Sequence, residues 1–186
     1  TAASADEAAS LAASFETFIK QEAKISGNAE LSDKTVTFHV VGKGAHGASP
    51  QSGINAATFL ATFLNDYSFA EGAYSFINTI AEFIHEDFYG EKLGVAFEDE
   101  KMGKLTMNAG IVNFDPENPE NSLVTLNFRY PKGTSAEELQ AKVQATVGET
   151  VTATQGDRNQ EPHYVPVDDP LVATLLQVYE DHTEIG

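Results

Sequence analysis

Three places in the chain carry side chains able to do chemistry. The first is Gly42-Lys43-Gly44-Ala45-His46-Gly47-Ala48-Ser49-Pro50-Gln51-Ser52-Gly53, where glycine, serine and proline forbid a regular element and leave a shaped loop held at both ends. Its imidazole, His46, is the side-chain type that changes charge near neutrality and can be presented to a ligand by a backbone free to come close; the plainer alternative is an exposed loop histidine without a task. The second is Arg129, whose planar fork can hold a carboxylate through two parallel hydrogen bonds, or can pair with one of many surface acids. The third is His85-Glu86-Asp87, an H-x-D triplet with the residue types of a metal site. It lies late in a helix-like pattern, where residues two apart point to different sides, so the expectation is a solvated charged face and not a metal centre.

Other chemistries find no support. A hydrolytic zinc site needs three ligands from His, Asp and Glu, and no H-x-x-x-H, H-E-x-x-H or paired-glutamate pattern near a strand end is present. No G-x-S-x-G elbow announces a serine hydrolase, and Gly42-x-Gly44 lacks the later glycine of a phosphate loop. We therefore expect no metal ligands in this chain.

The elements that must position these groups follow from hydrophobic period. Ala8, Leu11, Phe15, Phe18 and Ile19 space as a helix over 6–22 with Ser4 as its cap. Residues 25–41 change to a strand period and predict a hairpin turning at Ser32-Asp33, with Val36, Phe38 and Val40 inward and His39 half exposed on the other face. Ile54, Ala57, Leu60, Leu64 and Tyr67 form a second helical stripe capped by Ser52, and Tyr74, Ile77, Ile80, Ile84 and Phe88 a third. The two make a helical pair over 54–89 joined near 68–72. Thr106–Asn113 and Leu123–Tyr130 form a second hairpin around a proline-rich acidic turn, Ser135 and Glu138 open a helix to Val147 as a capping box, a strand is expected over 151–154, and Asp169-Pro170 starts a last helix. Two β-β-α runs predict an α+β fold: an antiparallel β-sheet with helices packed on one face.

Composition sets the outer limits. The chain has 186 residues, no cysteine, 11 Lys and Arg against 28 Asp and Glu, and a formal net charge of −17. Disulfides and thiolate metal sites are excluded, and nucleic acid or an anionic membrane is an unsuitable partner for so acidic a surface. No apolar run approaches the roughly 20 residues that span a bilayer, and the Ala/Ser-rich start with Asp6 and Glu7 does not match a signal peptide. The expectation is a cytoplasmic protein.

Gly-x-x-His-x-x-x-Pro followed by Gly53-Ile54-Asn55-Ala56-Ala57 resembles the lid-domain (dimerisation-type) histidine motif of the di-zinc metallopeptidases that include aminoacylase, carboxypeptidase G and succinyl-diaminopimelate desuccinylase, with PepV-type bacterial dipeptidases nearest in wording. Met107-Asn108-Ala109-Gly110-Ile111-Val112-Asn113-Phe114-Asp115 and Leu126-Asn127-Phe128-Arg129-Tyr130-Pro131 agree with it, the wider family having Asp-x-Arg where this chain has Asn127-Phe128-Arg129. His163-Tyr164-Val165-Pro166 with Asp168-Asp169-Pro170 resembles the point where the lid returns to the catalytic domain.

The resemblance implies a ferredoxin-like α/β sandwich of two like halves, about 25–100 and 101–166, within a lid domain over 1–166, with 167–186 starting the return to a catalytic domain outside this chain. It implies a fragment of a zinc-dependent dipeptidase, inactive by itself, whose two zinc ions are held by that other domain. His46 would stabilise the oxyanion of the reaction, and Arg129 and Asn108 would bind the dipeptide substrate, Arg129 at its terminal carboxylate. The contrasting reading is a stand-alone acidic protein-interaction module in which His46 is incidental.

Overall fold

The computed structural model describes residues 1–166 and 168–183. Helix α1 (Ala5–Gln21) starts where Ser4 Oγ accepts the Glu7 N–H at 3.1 Å and Glu7 Oε2 accepts the Ala3 N–H at 2.7 Å, so two otherwise orphaned donors are satisfied. Strands β1 (Ser26–Ser32) and β2 (Thr35–Val41) pair antiparallel across a turn at Asp33-Lys34, one residue beyond the expected one, with Asp33 in the left-handed region at φ 52°. Val36, Phe38 and Val40 are half-buried and His39 is exposed, as the strand period requires. Phe38 meets Phe15 of α1 with ring centroids 4.6 Å apart, and both meet Phe63 at 5.6 and 5.1 Å. Three elements distant in sequence are thus locked by one aromatic cluster.

Phe63 belongs to α2 (Ala56–Leu64), which is followed by α3 (Glu71–Phe83). The cap of α2 differs from the sequence expectation: Ser52 ends a short 3-10 turn (Pro50–Ser52), and Asn55 does the capping, its Oδ1 accepting the N–H groups of Ala57 and Thr58 at 3.1 and 3.4 Å. The helix starts three residues later than Ser52 would allow, because Pro50 and Gly53 bend the chain first.

The second hairpin is β5 (Thr106–Asn113) with β6 (Leu123–Arg129). Between α3 and β5 lies a minute ladder, β3 (Glu98–Asp99) with β4 (Gly103–Lys104), that the hydrophobic pattern did not signal. Among the described residues all pairing is antiparallel, in these three two-stranded ladders and one isolated bridge between Lys43 and Ile54. A register shift between Ala109 and Ile111 makes a bulge at Gly110. With that extra residue, Met107, Ala109 and Val112 all join the core, beside Val124, Leu126 and Phe128 of β6. Asn108, Asn127 and Arg129 are left on the outer face.

The inner face is covered by α3 and by α4 (Ala136–Val147). Leu105, Met107, Leu139 and Val143 form one buried cluster, Ala61, Ile77, Ile80 and Ile84 another, and Phe83 and Leu126 touch both. Helices on one face and polar side chains on the other give the α+β sandwich expected. Helix α4 is capped by Ser135 Oγ on the Glu138 N–H at 3.3 Å, while Glu138 reaches Thr134 Oγ1 at 3.1 Å in place of the cap's own N–H. The last helix, α5 (Pro170–His182), begins with Asp169 Oδ1 accepting the Leu171 N–H at 2.9 Å.

Among the described residues the segment 151–154, expected to be a strand, pairs with no other strand. Gln144 of α4 takes its place as partner, donating to Gly148 and Val151 carbonyls at 2.6 and 2.9 Å and accepting the Ala153 N–H at 2.8 Å, while Gln140 donates to the Ala153 carbonyl at 2.8 Å. Side-chain amides occupy the backbone groups that a neighbouring strand would have used. Gln144→Ala is expected to lower stability by about 1–2 kcal/mol, the net worth of such hydrogen bonds, and to speed exchange of the Ala153 amide. Urea titration and hydrogen exchange measure both; unchanged exchange at Ala153 would show that the tether holds nothing.

Candidate functional site

The histidine loop is closed at its feet by a pair of backbone hydrogen bonds, Lys43 N–H to the Ile54 carbonyl at 2.9 Å and Ile54 N–H to the Lys43 carbonyl at 2.8 Å. A side chain at Gly42 would put a Cβ 2.1 Å from the Ile54 carbonyl oxygen, so the closure requires glycine there. Within the loop, the Ser49 N–H donates to the His46 carbonyl at 2.8 Å and Pro50 is buried, anchoring the far side. The expectation of a shaped loop pinned at both ends holds.

His46 sits on the exposed part of that loop. Its Nδ1 accepts the Ala48 N–H at 3.2 Å. A ring nitrogen that accepts carries no proton, so the neutral imidazole bears its proton on Nε2, turned away from the loop's own backbone. Local backbone thus fixes both the tautomer and the direction of the one available donor.

A cleft of about 440 Å³ opens between the feet of this loop and the edge of β5, lined by Gly42, Lys43, Asn55, Asn108, Ala109 and Gly110 among others. Asn55 crosses it at one end: the Nδ2 that its capping role leaves free donates to the Ala109 carbonyl at 2.9 Å. Asn108 is half-buried in the wall, whereas His46 and Arg129 are not among the lining residues. Arg129 is exposed at the end of β6 on the same outer face as Asn108. Asn127, directly opposite Asn108, lies between them, and Arg129 stands about 7 Å further along the strand. Among the described residues no carboxylate lies within 4 Å of the Arg129 guanidinium. The structure therefore groups Asn108 with the loop feet and with Arg129 on one face, and leaves His46 on the loop beyond them.

His85-Glu86-Asp87 corrects the expectation of a solvated charged face. Helix α3 ends at Phe83, and the triplet forms the ordered turn that follows. Asp87 is buried, its Oδ1 accepting the N–H groups of Tyr89, Gly90 and Glu91 at 3.2, 2.8 and 3.1 Å and its Oδ2 that of Lys92 at 2.8 Å. Glu86, in the left-handed region at φ 53°, accepts from Lys24, which pulls its carboxyl below the usual range. The His85 ring, 17% exposed, stands edge-on to Phe59 at 4.6 Å, with Nδ1 3.1 Å from Thr58 Oγ1. Sequence period placed these three on a helix surface; the helix stops early, and turning the chain buries Asp87 and half-buries His85.

The residues present do not fit zinc. Among the described residues no three His, Asp or Glu side chains gather into a possible site. In the nearest approach, Asp87 has both oxygens committed to backbone donors and Glu86 is paired with Lys24, so the lone pair on His85 Nε2 stands without the two further ligands zinc needs. Among the described helices none is long and apolar enough to cross a membrane.

Asn55, Thr58 and His85 were absent from the sequence-derived site. Asn55 could have been found, because asparagine directly before Ala-Ala-Thr is a first-rank cap. The other two act only through tertiary contact.

The family described as "Peptidase dimerisation domain" matches over residues 32–154. A Beta-Ala-Xaa dipeptidase of Lactobacillus delbrueckii subsp. lactis is 40% identical over 169 residues, 91% of this chain and 35% of the relative. Candidate dipeptidases of Staphylococcus saprophyticus and Staphylococcus epidermidis are each 30% identical over the same shares. The chain thus spans about a third of the length of the curated relatives it matches.

Burial pushes the His85 imidazole below its ordinary value of 6.5, with Lys92 and Lys24 adding to the shift and Glu86 and Glu22 opposing it. The unfolded chain then binds this proton more readily than the folded one, so the stability that neutral His85 contributes is complete above 6.5 and is lost as pH falls through the lower folded value. Carboxylates with lowered values, such as Glu86, give up their contribution only at more acid pH. His85→Asn, which keeps a donor near the place of Nδ1 but does not titrate, is expected to flatten the fall in stability as pH drops below 6.5. Chemical denaturation across that range checks it, an unchanged slope counting against His85 as the source.

Proposed function

Because the chain belongs to the peptidase dimerisation domain family, we propose that it is the lid of a zinc-dependent dipeptidase, residues 1–166 closing over an active site whose two zinc ions are held outside this chain, in the cytoplasm. Its partners are a dipeptide and its own catalytic domain. The His46 turn carries this reading: a pinned glycine-rich loop presents a single Nε2–H donor whose tautomer is set before any ligand arrives. A donor fixed in advance suits an oxyanion that develops only in the transition state, where no reorganisation is then needed. Arg129, with no carboxylate of the described chain beside it, holds the substrate's terminal carboxylate through its fork. Asn108 offers its amide in the cleft between them.

The return segment over 167–186 is a further part of the proposal, with Val167 and residues 184–186 outside the described ones. Its helix α5 exposes Leu171 (68%), Leu175 (60%) and Tyr179 (55%), apolar surface of the kind that another domain covers. An acidic interaction module without catalytic role predicts instead that His46 and Arg129 are dispensable.

In the full-length enzyme, Arg129→Ala should cut kcat/KM by a few kcal/mol, the cost of truncating one partner of a charge pair, and Lys should restore only part. The loss should be much smaller on a C-terminally amidated dipeptide. An equal loss on both substrates would remove the carboxylate assignment.

His46→Ala should lower turnover roughly 100- to 1,000-fold with metal content unchanged and the Michaelis constant little moved. His46→Gln, which carries its NH2 at about the reach of Nε2, should recover part of the loss, and His46→Asn, which reaches only to the place of Nδ1, should not. Steady-state kinetics with metal analysis separates these outcomes, and wild-type turnover in His46→Ala ends the oxyanion role.

A further inference from the structure

Behind the wall of the cleft, His85 makes contacts that the lid reading leaves unused. The Thr58 hydroxyl donates its one proton to the Asn55 carbonyl at 3.0 Å. It can therefore only accept from the ring nitrogen 3.1 Å away, so His85 Nδ1 is the donor and Nε2 carries the lone pair of the neutral imidazole. Asn55 in turn caps α2 through Oδ1 and clasps the Ala109 carbonyl through Nδ2, one residue along β5 from Asn108. The line His85, Thr58, Asn55, Ala109 is a continuous set of donors and acceptors ending at the strand edge.

Its outer end is braced as firmly. Thr58 and Phe59 are buried, 3% and 4% exposed, and Phe59 meets the imidazole edge-on. The His85 carbonyl accepts from Lys92 Nζ at 2.7 Å, and the next residue, Glu86, is held in a left-handed conformation that aspartate or glycine would adopt more readily. A turn kept in a costly backbone conformation, with its imidazole aimed at a helix start, points to a residue whose direction matters.

We propose that His85 is a positioning residue that holds Asn55 against β5 and so sets the place of Asn108 in the cleft. The proposal rests on the reading of that cleft as a substrate subsite only for its kinetic consequence; the contact chain stands without it. Because the ring touches neither the cleft nor a ligand, its effect falls on binding more than on turnover.

The test uses His85→Leu, which removes the donor, His85→Asn, which returns a donor near Nδ1, and Thr58→Val, which removes the acceptor at similar volume. In the 186-residue chain, the Asn55 side-chain amide is followed by NMR. His85→Leu and Thr58→Val should move its resonances toward those of a free amide and speed its exchange, and His85→Asn should retain the wild-type signal. In the full-length enzyme the first two should raise KM about three- to tenfold, the worth of one net hydrogen bond, with kcat within about twofold. An Asn55 signal unmoved in His85→Leu, or His85→Asn as impaired as His85→Leu, overturns the proposal. A fall in melting temperature alone, without change at Asn55, marks a merely structural residue and overturns it too. Should His85→Leu not fold, Thr58→Val decides by the same signal. Asn108→Ala is the control for the site itself: if it leaves KM unchanged, the subsite reading fails while the Asn55 resonance still judges His85.

Discussion

One amide side chain holds the arrangement together. Asn55 uses its carbonyl oxygen to cap α2 and its NH2 to grip the Ala109 carbonyl, so a single residue starts a helix and fastens it to the second hairpin. Aspartate would cap as well but would set a second acceptor against the Ala109 oxygen. Serine or threonine would cap but could not reach. Caps are worth about 1 kcal/mol and a net hydrogen bond about as much, a sizeable fraction of the 5–15 kcal/mol by which domains of ordinary size are stable. The Lys43–Ile54 closure lies directly upstream, so the histidine loop is measured off from the same fixed point.

The bulge at Gly110 does for the sheet what Asn55 does for the helix. A strand alternates, and an eight-residue strand without a bulge would turn Val112 outward if Met107 and Ala109 pointed inward. The extra residue re-phases the far end, so the core face stays apolar along its whole length at the cost of exposing Ile111, 57% accessible. The outer face carries Asn108, Asn127 and Arg129, which plain alternation puts opposite the core on the near side of the bulge. On a chain of net charge −17 such a face repels an anion at long range, and that repulsion is screened within roughly 8 Å at physiological salt. A carboxylate held by Arg129, as proposed above, would be recognised by contact geometry and not by steering, which suits a fork better than a point charge.

What the sequence made legible were the features that depend on neighbours in the chain. Ser4, Ser135 and Asp169 cap as their types and positions require, and Val36, Phe38 and Val40 face inward because alternation leaves no choice. The shaped loop around His46 could be foreseen from its glycines and proline. Ser52 was the wrong cap because a 3-10 turn beginning at Pro50 consumed it, a competition that residue type alone does not rank. The strand at 151–154 failed for a different reason: its period was suitable, yet Gln144 and Gln140 satisfied its backbone first. The turn at 87–92 was invisible because four N–H groups converge on one carboxylate, and no periodicity reports that. Of the candidate site, residue types could name Arg129 and His46 but not the cleft, since its walls come from three segments distant in sequence, within 42–59, 84–88 and 107–112.

The two histidines nearest the cleft show how backbone decides chemistry. At His46 a backbone N–H occupies Nδ1, so the proton resides on Nε2 and points outward from an exposed loop. At His85 a hydroxyl that has already spent its own proton occupies Nδ1 as an acceptor, so the proton resides there and points into the fold. The same side chain is thus fixed in opposite tautomers within one small domain. Only the first offers a donor to something arriving from outside; the second has its donor committed and is partly desolvated. The proposed roles of ligand contact and internal brace rest on those two hydrogen bonds, and exchanging the partners, a carbonyl at Nδ1 of His46 or a donor at Nδ1 of His85, would exchange which nitrogen each ring presents.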